Sequence, residues 1–228
     1  MKNSKKYAVG LAAVLTLAPV LKASAAAKTG DAIVLSSLAS MGSDAEGGVP
    51  GIVRILLQML KNLNKDLLNE AKQGNAKGVE KLLAGGAYAD ARDEEGHTPL
   101  MIAAANGNAE MAKILLRYGA DPNADAKGRE TVLIYAVFGG RADIVKMLLE
   151  KKRGANVNGK TKRGFTALMA AAAEGKTEIA KILLEQKEIS VNARTSYGWT
   201  ALRYAEKHET EAGKETGIAS LIRERMKK

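Results

Sequence analysis

Gly96-His97-Thr98-Pro99-Leu100-Met101-Ile102-Ala103-Ala104-Ala105-Asn106-Gly107 reads as one short helix with its punctuation at both ends. The Thr98 hydroxyl suits the N-cap, where it can accept from a free amide of the first turn. Pro99 fits the first helical position, which needs no amide donor. Gly107 supplies the left-handed residue that ends such a helix. A second helix is expected over 109–118, with Met111, Ile114 and Leu115 on one face and Gly119 as its stop. Gly119-Ala120-Asp121-Pro122-Asn123 is turn chemistry. The unit is therefore helix, turn, helix, extended turn, and neither helix is long enough to bury its apolar face alone.

Working outward, the same unit recurs. Gly74, Gly107, Gly140 and Gly175 are 33, 33 and 35 residues apart, and Thr98, Thr131, Thr166 and Thr200 are 33, 35 and 34 apart. The pairs Leu82-Leu83, Leu115-Leu116, Leu148-Leu149 and Leu183-Leu184 keep the same step. One period shared by three unrelated residue types marks a stacked repeat, in which neighbours bury each other's apolar faces. The first helices are Ala-rich (103–105, 170–173) and the second carry Leu, Ile and Met. Small side chains allow closer approach, which puts the first helices on the inner, concave side.

These residues resemble the ankyrin repeat family. The family's glycine–threonine–proline–leucine start stands here as Gly96-His97-Thr98-Pro99-Leu100, and weakens to Thr131-Val132-Leu133, Thr166-Ala167-Leu168 and Thr200-Ala201-Leu202. Its leucine-pair and glycine–alanine ending stands as Leu115-Leu116-Arg117-Tyr118-Gly119-Ala120. The resemblance implies an all-α solenoid of about five helix-turn-helix units joined by hairpin turns, over 64–90, 91–123, 124–158, 159–192 and 193–225, with a basic tail at 226–228. Four departures stand out. Met101, Ile134, Met169 and Arg203 replace the family's usual histidine, which weakens the expectation of turn-to-turn bonding through that side chain. Gly128 comes one position early, so the third hairpin should be distorted. Two residues are inserted around Glu150–Arg153. The last unit has four extra residues, expected as a loop in Glu209–Gly217.

The N-terminus has a different logic. Lys2, Lys5 and Lys6 precede a fifteen-residue apolar stretch (7–21), and Ala23-Ser24-Ala25 offers small residues for cleavage. That is the layout of a secretory signal peptide over 1–25, cut near Ala25 or Ala27. The stretch is shorter than the roughly 20 residues of a membrane span, so no span is expected after cleavage. The implied location is periplasmic or secreted. Removing Lys2, Lys5, Lys6 and Lys22 lowers the formal charge from +10 to +6. Residues 26–48, rich in Ala, Ser and Gly, read as flexible, with a short helix possible at 32–40. Ile52, Val53, Leu56, Met59, Leu60 and Leu63 follow helical spacing, which reads as a helix over 49–63 covering the end of the first repeat, or as a partner-binding or membrane-surface helix.

Composition removes most catalytic chemistry. There is no cysteine and there are two histidines, His97 and His208. Thiolate metal sites, disulfides and cysteine nucleophiles are excluded, and no catalytic residue, metal or cofactor is expected. Gly154-Ala155-Asn156-Val157-Asn158-Gly159-Lys160-Thr161 satisfies the phosphate-loop pattern. That chemistry needs a strand before it and a helix directly after it, whereas this stretch sits in a repeat turn. No nucleotide is expected. Asp121-x-Asn123-x-Asp125 resembles the start of a calcium loop but has Ala126 and Val132 where the glycine and the bidentate acid belong. His97 reads as a turn residue, and His208 as the end of the last inner helix.

The surface offers two candidate sites. The resemblance implies recognition through hairpin tips and the inner-helix face. Positions matching the tips are His97, Glu130, Phe165 and Trp199, with Tyr197 beside them; inner-helix candidates are Ala105, Asn106, Phe138, Glu174 and Lys207. Phe165, Tyr197 and Trp199 are expected as near neighbours, either a binding cluster or local hairpin packing. The second candidate is a basic patch of Lys151, Lys152, Arg153, Lys160, Lys162 and Arg163, giving residues 150–163 a net +5. The expected function is a monomeric, non-enzymatic module that binds a protein partner. The alternatives are a polyanion binder through 151–163, or a secreted effector acting on another cell. A charge of +6 is too modest to argue for nucleic acid on its own.

Overall fold

A computed structural model of the chain describes residues 49–150, 154–213 and 215–227, with side chains described from Gln58 onward. The expected signal peptide, the segment 26–48 with its short helix, and Lys151, Lys152 and Arg153 lie outside the described residues.

The described residues form ten helices in five packed pairs: α1 (Val49–Lys72) with α2 (Ala76–Ala84), α3 (Pro99–Ala105) with α4 (Ala109–Arg117), α5 (Val132–Gly139) with α6 (Ala142–Leu149), α7 (Ala167–Ala173) with α8 (Thr177–Leu184), and α9 (Ala201–Ala212) with α10 (Ile218–Met226). The periodic threonines start the first helices. Thr98, Thr131, Thr166 and Thr200 sit in extended backbone, and their hydroxyls accept from the amides of Met101, Ile134, Met169 and Arg203. Asn75 and Asn108 cap α2 and α4 in the same way, whereas Arg141 and Lys176 give α6 and α8 no side-chain cap. None of the helices of the described residues is long and apolar enough to cross a membrane.

Stacking makes one continuous core. First helices pack in order α1, α3, α5, α7, α9, and second helices α2, α4, α6, α8, α10. Leu100, Met101, Met111, Leu115, Leu133, Ile134, Ile144, Leu148, Leu168, Met169 and Leu183 are fully buried. Each such side chain contributes about 1.5–3 kcal/mol of burial. The first helices approach closely, as their small residues require. At Gly139 an added Cβ would lie 2.1 Å from the Ala104 carbonyl oxygen and 3.0 Å from that of Ala105.

The turns are stitched by backbone. Each hairpin closes on itself: Asp93 N–H donates to His97 O, Ala126 N–H to Glu130 O, Thr161 N–H to Phe165 O and Thr195 N–H to Trp199 O, all at 2.9–3.1 Å. Each tip also donates to the tip before it: Lys127 N–H to Glu95 O (3.1 Å), Lys162 N–H to Gly128 O (3.0 Å) and Ser196 N–H to Arg163 O (2.9 Å). The turn-to-turn bonding put in question by the missing histidines is thus made by main chain. At the other end of each unit, Asn123 and Asn158 bridge to the next: Asn156 N–H donates to Asn123 Oδ1 (2.7 Å) and Ser190 N–H to Asn158 Oδ1 (2.8 Å). Of the calcium-like triplet, Asp121 and Asn123 belong to this turn, and Asp125 pairs across the hairpin with Thr131. Asn123 N–H donates to Asp121 Oδ1.

Three expectations need correction. The helix expected over 49–63 does not end at 63: α1 runs unbroken to Lys72 and serves as the first helix of the first repeat. The loop expected in Glu209–Gly217 is shorter than that range. Part of the four extra residues lengthens α9 to twelve residues, ending at Ala212, so the connection to α10 begins only at Gly213 and His208 lies within the helix and not at its end. The reason is visible at Glu209. Its carboxylate accepts from Thr216 Oγ1 (2.7 Å), and α10 has no side-chain cap of its own. Burial alone would raise the pKa of Glu209, but the Thr216 hydroxyl and the amides of Ala219, Gly217 and Thr216 outweigh it and hold the carboxyl below its usual range. The added turn of α9 carries the acid that caps α10.

Candidate functional site

The tips and first helices share one edge of the stack, and their side chains sort into four groups. At the C-terminal end, Phe165 does not sit beside Trp199 and Tyr197 in an open cluster. Tyr204, on the first turn of α9, lies between the first two. Its ring meets Phe165 edge-on at 5.4 Å and Trp199 at 5.0 Å. Phe165, Trp199 and Tyr204 are all half-buried, while Tyr197 stands 70% exposed. Two cations lie over the Trp199 ring, Arg203 at 4.4 Å and Lys207 at 5.5 Å from its centre. Such contacts fix an aromatic ring and keep its rim charged.

Tyr204 was not anticipated, but a signal for it exists. His97 packs edge-on against Tyr135 at 5.6 Å, as Phe165 does against Tyr204. Tyr135 and Tyr204 hold the same register in α5 and α9. A tip ring therefore rests on the next unit's first helix whenever that register carries an aromatic. Glu130, the tip between them, faces the register of Ala170 and has no ring to pack with. Burial raises the Tyr135 pKa, helped by the carboxylates of Glu130 and Asp93.

On the first-helix face, Ala105, Asn106, Glu174 and Lys207 are exposed, and Phe138 at the end of α5 is 50% exposed. Phe138 stands one residue before Gly139, where α5 makes its close approach to α3.

The second hairpin is a polar node. Asp93 accepts from the amides of Glu95 and His97, sits 3.1 Å from Lys72 Nζ and 3.3 Å from His97 Nδ1. Burial pushes its pKa up, but the His97 amide, Lys72 and the His97 ring outweigh burial and hold it below the usual carboxylate range. Asp93, Glu95 and His97 offer ligand-type atoms within 4.8 Å of one another. The Asp93 carboxylate is already engaged by Lys72 and the turn amides, so this arrangement is accounted for by the hairpin.

The fourth group lines an open groove of about 690 Å³ across the last three hairpins, between Asn123–Thr131, Asn156–Gly164 and Arg194–Ser196. Lys160, Lys162 and Arg163 of the predicted patch reach it, joined by Arg129 and Arg194, which the sequence reading did not single out. The phosphate-loop pattern lies here too. Lys160 and Thr161 belong to the hairpin that pairs Lys160 with Thr166, and α7 begins only at Ala167. No helix N-terminus therefore follows Thr161 to meet a phosphate.

Two family models match the chain, one described as ankyrin repeats in three copies over residues 67–161, the other as ankyrin repeats in many copies over 148–205. Comparison with curated proteins gives no match.

Proposed function

The chain belongs to the ankyrin repeat family, a protein–protein interaction fold, and we propose that it is a non-enzymatic binding module whose partner docks on the hairpin tips and the first-helix face. The observation that carries this is the side-chain inventory of that edge. Phe138 and Tyr197 stand out as exposed large apolar residues, and Trp199 packs on Tyr204 with the cations Arg203 and Lys207 over its ring. Aromatic and arginine anchors of this kind dominate protein interfaces. The reading includes export by the N-terminal 1–25 segment to the periplasm or the medium, which intact mass of the natural protein tests: a chain still starting at Met1 refutes it.

The structure changes which variant tests the interface. Phe165 and Trp199 pack on Tyr204, so truncating them disturbs the last repeat as well as the surface. Phe138→Ala, Tyr197→Ala and Glu174→Ala together leave that packing in place. A partner captured from periplasmic or medium fractions by the parent, and lost by this triple variant at equal helicity, supports the reading. A partner retained in full by the variant moves the site off this face.

A further inference from the structure

We propose that the basic groove across the last three hairpins is a second binding site, which takes an acidic, carboxylate-rich peptide segment of a protein partner. It rests on the protein-binding reading for the nature of its occupant, but it uses different residues from the Phe138–Trp199 face.

Five cations line the groove: Arg129 from the third hairpin, Lys160, Lys162 and Arg163 from the fourth, and Arg194 from the fifth. The one carboxylate in the lining is Asp125, 3.7 Å from Arg129 Nε. The remaining four cations form no ion pair among the described residues. The groove thus keeps an uncompensated charge of about +4, from five cations less one acid. Tip-to-tip backbone bonds, Lys162 N–H to Gly128 O and Ser196 N–H to Arg163 O, hold the three hairpins in register. The positive charge is therefore carried on a stitched ledge and repeats from one unit to the next.

The form of the ledge selects among anions. A nucleotide phosphate needs a helix N-terminus or a nest of amides after Lys160-Thr161, and α7 starts too late. Single-stranded nucleic acid is held by cations together with aromatic platforms on which bases stack. No aromatic side chain lines the groove, and Phe165 and Trp199 are spent on Tyr204. An extended peptide needs no stacking. Its same-face side chains recur at about 7 Å, within reach of cations carried on long side chains from units stacked roughly 10 Å apart. At the ends of the ledge Arg129 lies beside Asp125 and Arg194 Nη1 donates to Gly198 O (3.2 Å), and the remaining N–H groups of each guanidinium can donate to a peptide carboxylate.

The test uses the full chain and a labelled oligo-glutamate peptide of roughly eight residues, followed by fluorescence anisotropy at low salt. Saturable binding is expected. Lys162→Glu with Arg163→Glu should weaken it by about tenfold or more, and Arg194→Gln by about threefold. Lys113→Glu, a cation on α4 outside the groove, should change it by less than about twofold. Far-UV circular dichroism checks that each variant keeps its helices. The proposal fails if the parent shows no saturable binding, or if Lys113→Glu weakens binding as much as the groove reversals do. It fails also if oligothymidine of equal charge binds tighter than the peptide, which would make the ledge a nucleic-acid site. If the peptide fails while capture through Phe138 and Tyr197 persists, the groove inference falls alone.

Discussion

The second and third repeats have the same helices and different workmanship. In the second hairpin, Asp93 accepts from the His97 amide, Gly96 takes the left-handed position at φ +85°, and Asn108 caps the second helix. In the third, the corresponding residues are Ala126, Arg129 and Arg141. The Ala126 side chain offers no acceptor. Arg129 is the one non-glycine residue with positive φ (+62°) among those described, and Arg141 makes no cap bond. The fourth and fifth hairpins return to the better pattern, with Thr161 and Thr195 accepting from Phe165 and Trp199 and with Gly164 and Gly198 left-handed. The third unit is thus locally under-optimised at three independent places. It is also the unit that presents Phe138 and supplies Arg129 to the basic groove. A stacked array tolerates this because each unit is held by both neighbours, so local cost can accumulate where the surface is specialised.

The largest effect expected from breaking this comparison is at the contact that holds the third unit to the second. Gly139→Ala would place a methyl group 2.1 Å from the Ala104 carbonyl oxygen. Backbone must move, which costs about 1–3 kcal/mol and should appear as a lower midpoint in urea denaturation. Asn106, at the same register in the second unit, is exposed, so Asn106→Ala should leave the midpoint within about 0.5 kcal/mol of the parent. Equal effects at the two positions would show that the close approach is not specific to the third unit.

Next in size is the left-handed position. A non-glycine residue there costs about 1–2 kcal/mol. Arg129→Gly should therefore stabilise the protein by about 1 kcal/mol, less whatever the exposed Asp125 pair contributes, which is small. Gly96→Ala should lose a similar amount, because its Cβ would also meet the Lys127 amide nitrogen at 3.2 Å. Thermal unfolding of both variants, read against the parent, measures the two signs. A third step repairs the helix cap: Arg141→Asn should gain about 0.5–1 kcal/mol, and Asn108→Ala lose about the same. A destabilised Arg141→Asn would mean that the Arg141–Asp143 pair, 2.7 Å between Nη2 and Oδ2, matters more than an exposed pair ordinarily does.

Much of this was legible in the residues. The threonine register alone places the starts of four first helices, and the displaced Gly128 marks the third hairpin as abnormal before its geometry is seen. What was not legible depends on contacts between units. The sequence shows four extra residues in the last repeat but not that Glu209 turns part of them into helix by capping α10. Phe165 and Trp199 look alike as tips, and only the position of Tyr204 in the next helix shows that both are partly spent on packing. Arg129 and Arg194 lie outside the dense run at 151–163, and reach the groove because stacking brings separate hairpins side by side. Period is a property of one unit, whereas a surface belongs to several.

The smallest expected effect separates the second hairpin from the fourth and fifth by pH. All three close with a side-chain acceptor, but only Asp93 is ionisable at that place; Thr161 and Thr195 are not carboxylic acids. Asp93 is held below its ordinary value of 3.8 in the folded chain. A depressed carboxyl contributes stability that is complete above its unfolded value and is lost as pH falls through its folded one. Its share of stability should therefore be present at neutral pH and disappear below about pH 3.8. Glu209 and Asp143 are depressed as well, so the parent's acid profile mixes several groups. Asp93→Thr isolates one of them by giving the second hairpin the chemistry of the other two. It keeps an acceptor for the His97 amide and removes the charge beside Lys72. The stability difference between parent and variant, measured by urea titration at neutral pH and at steps down towards pH 3, should favour the parent at neutral pH and shrink as the solution is acidified. A difference that stays constant across the range would mean that the hairpin depends on the hydrogen bond alone, and that Lys72 and the charge of Asp93 contribute nothing to it.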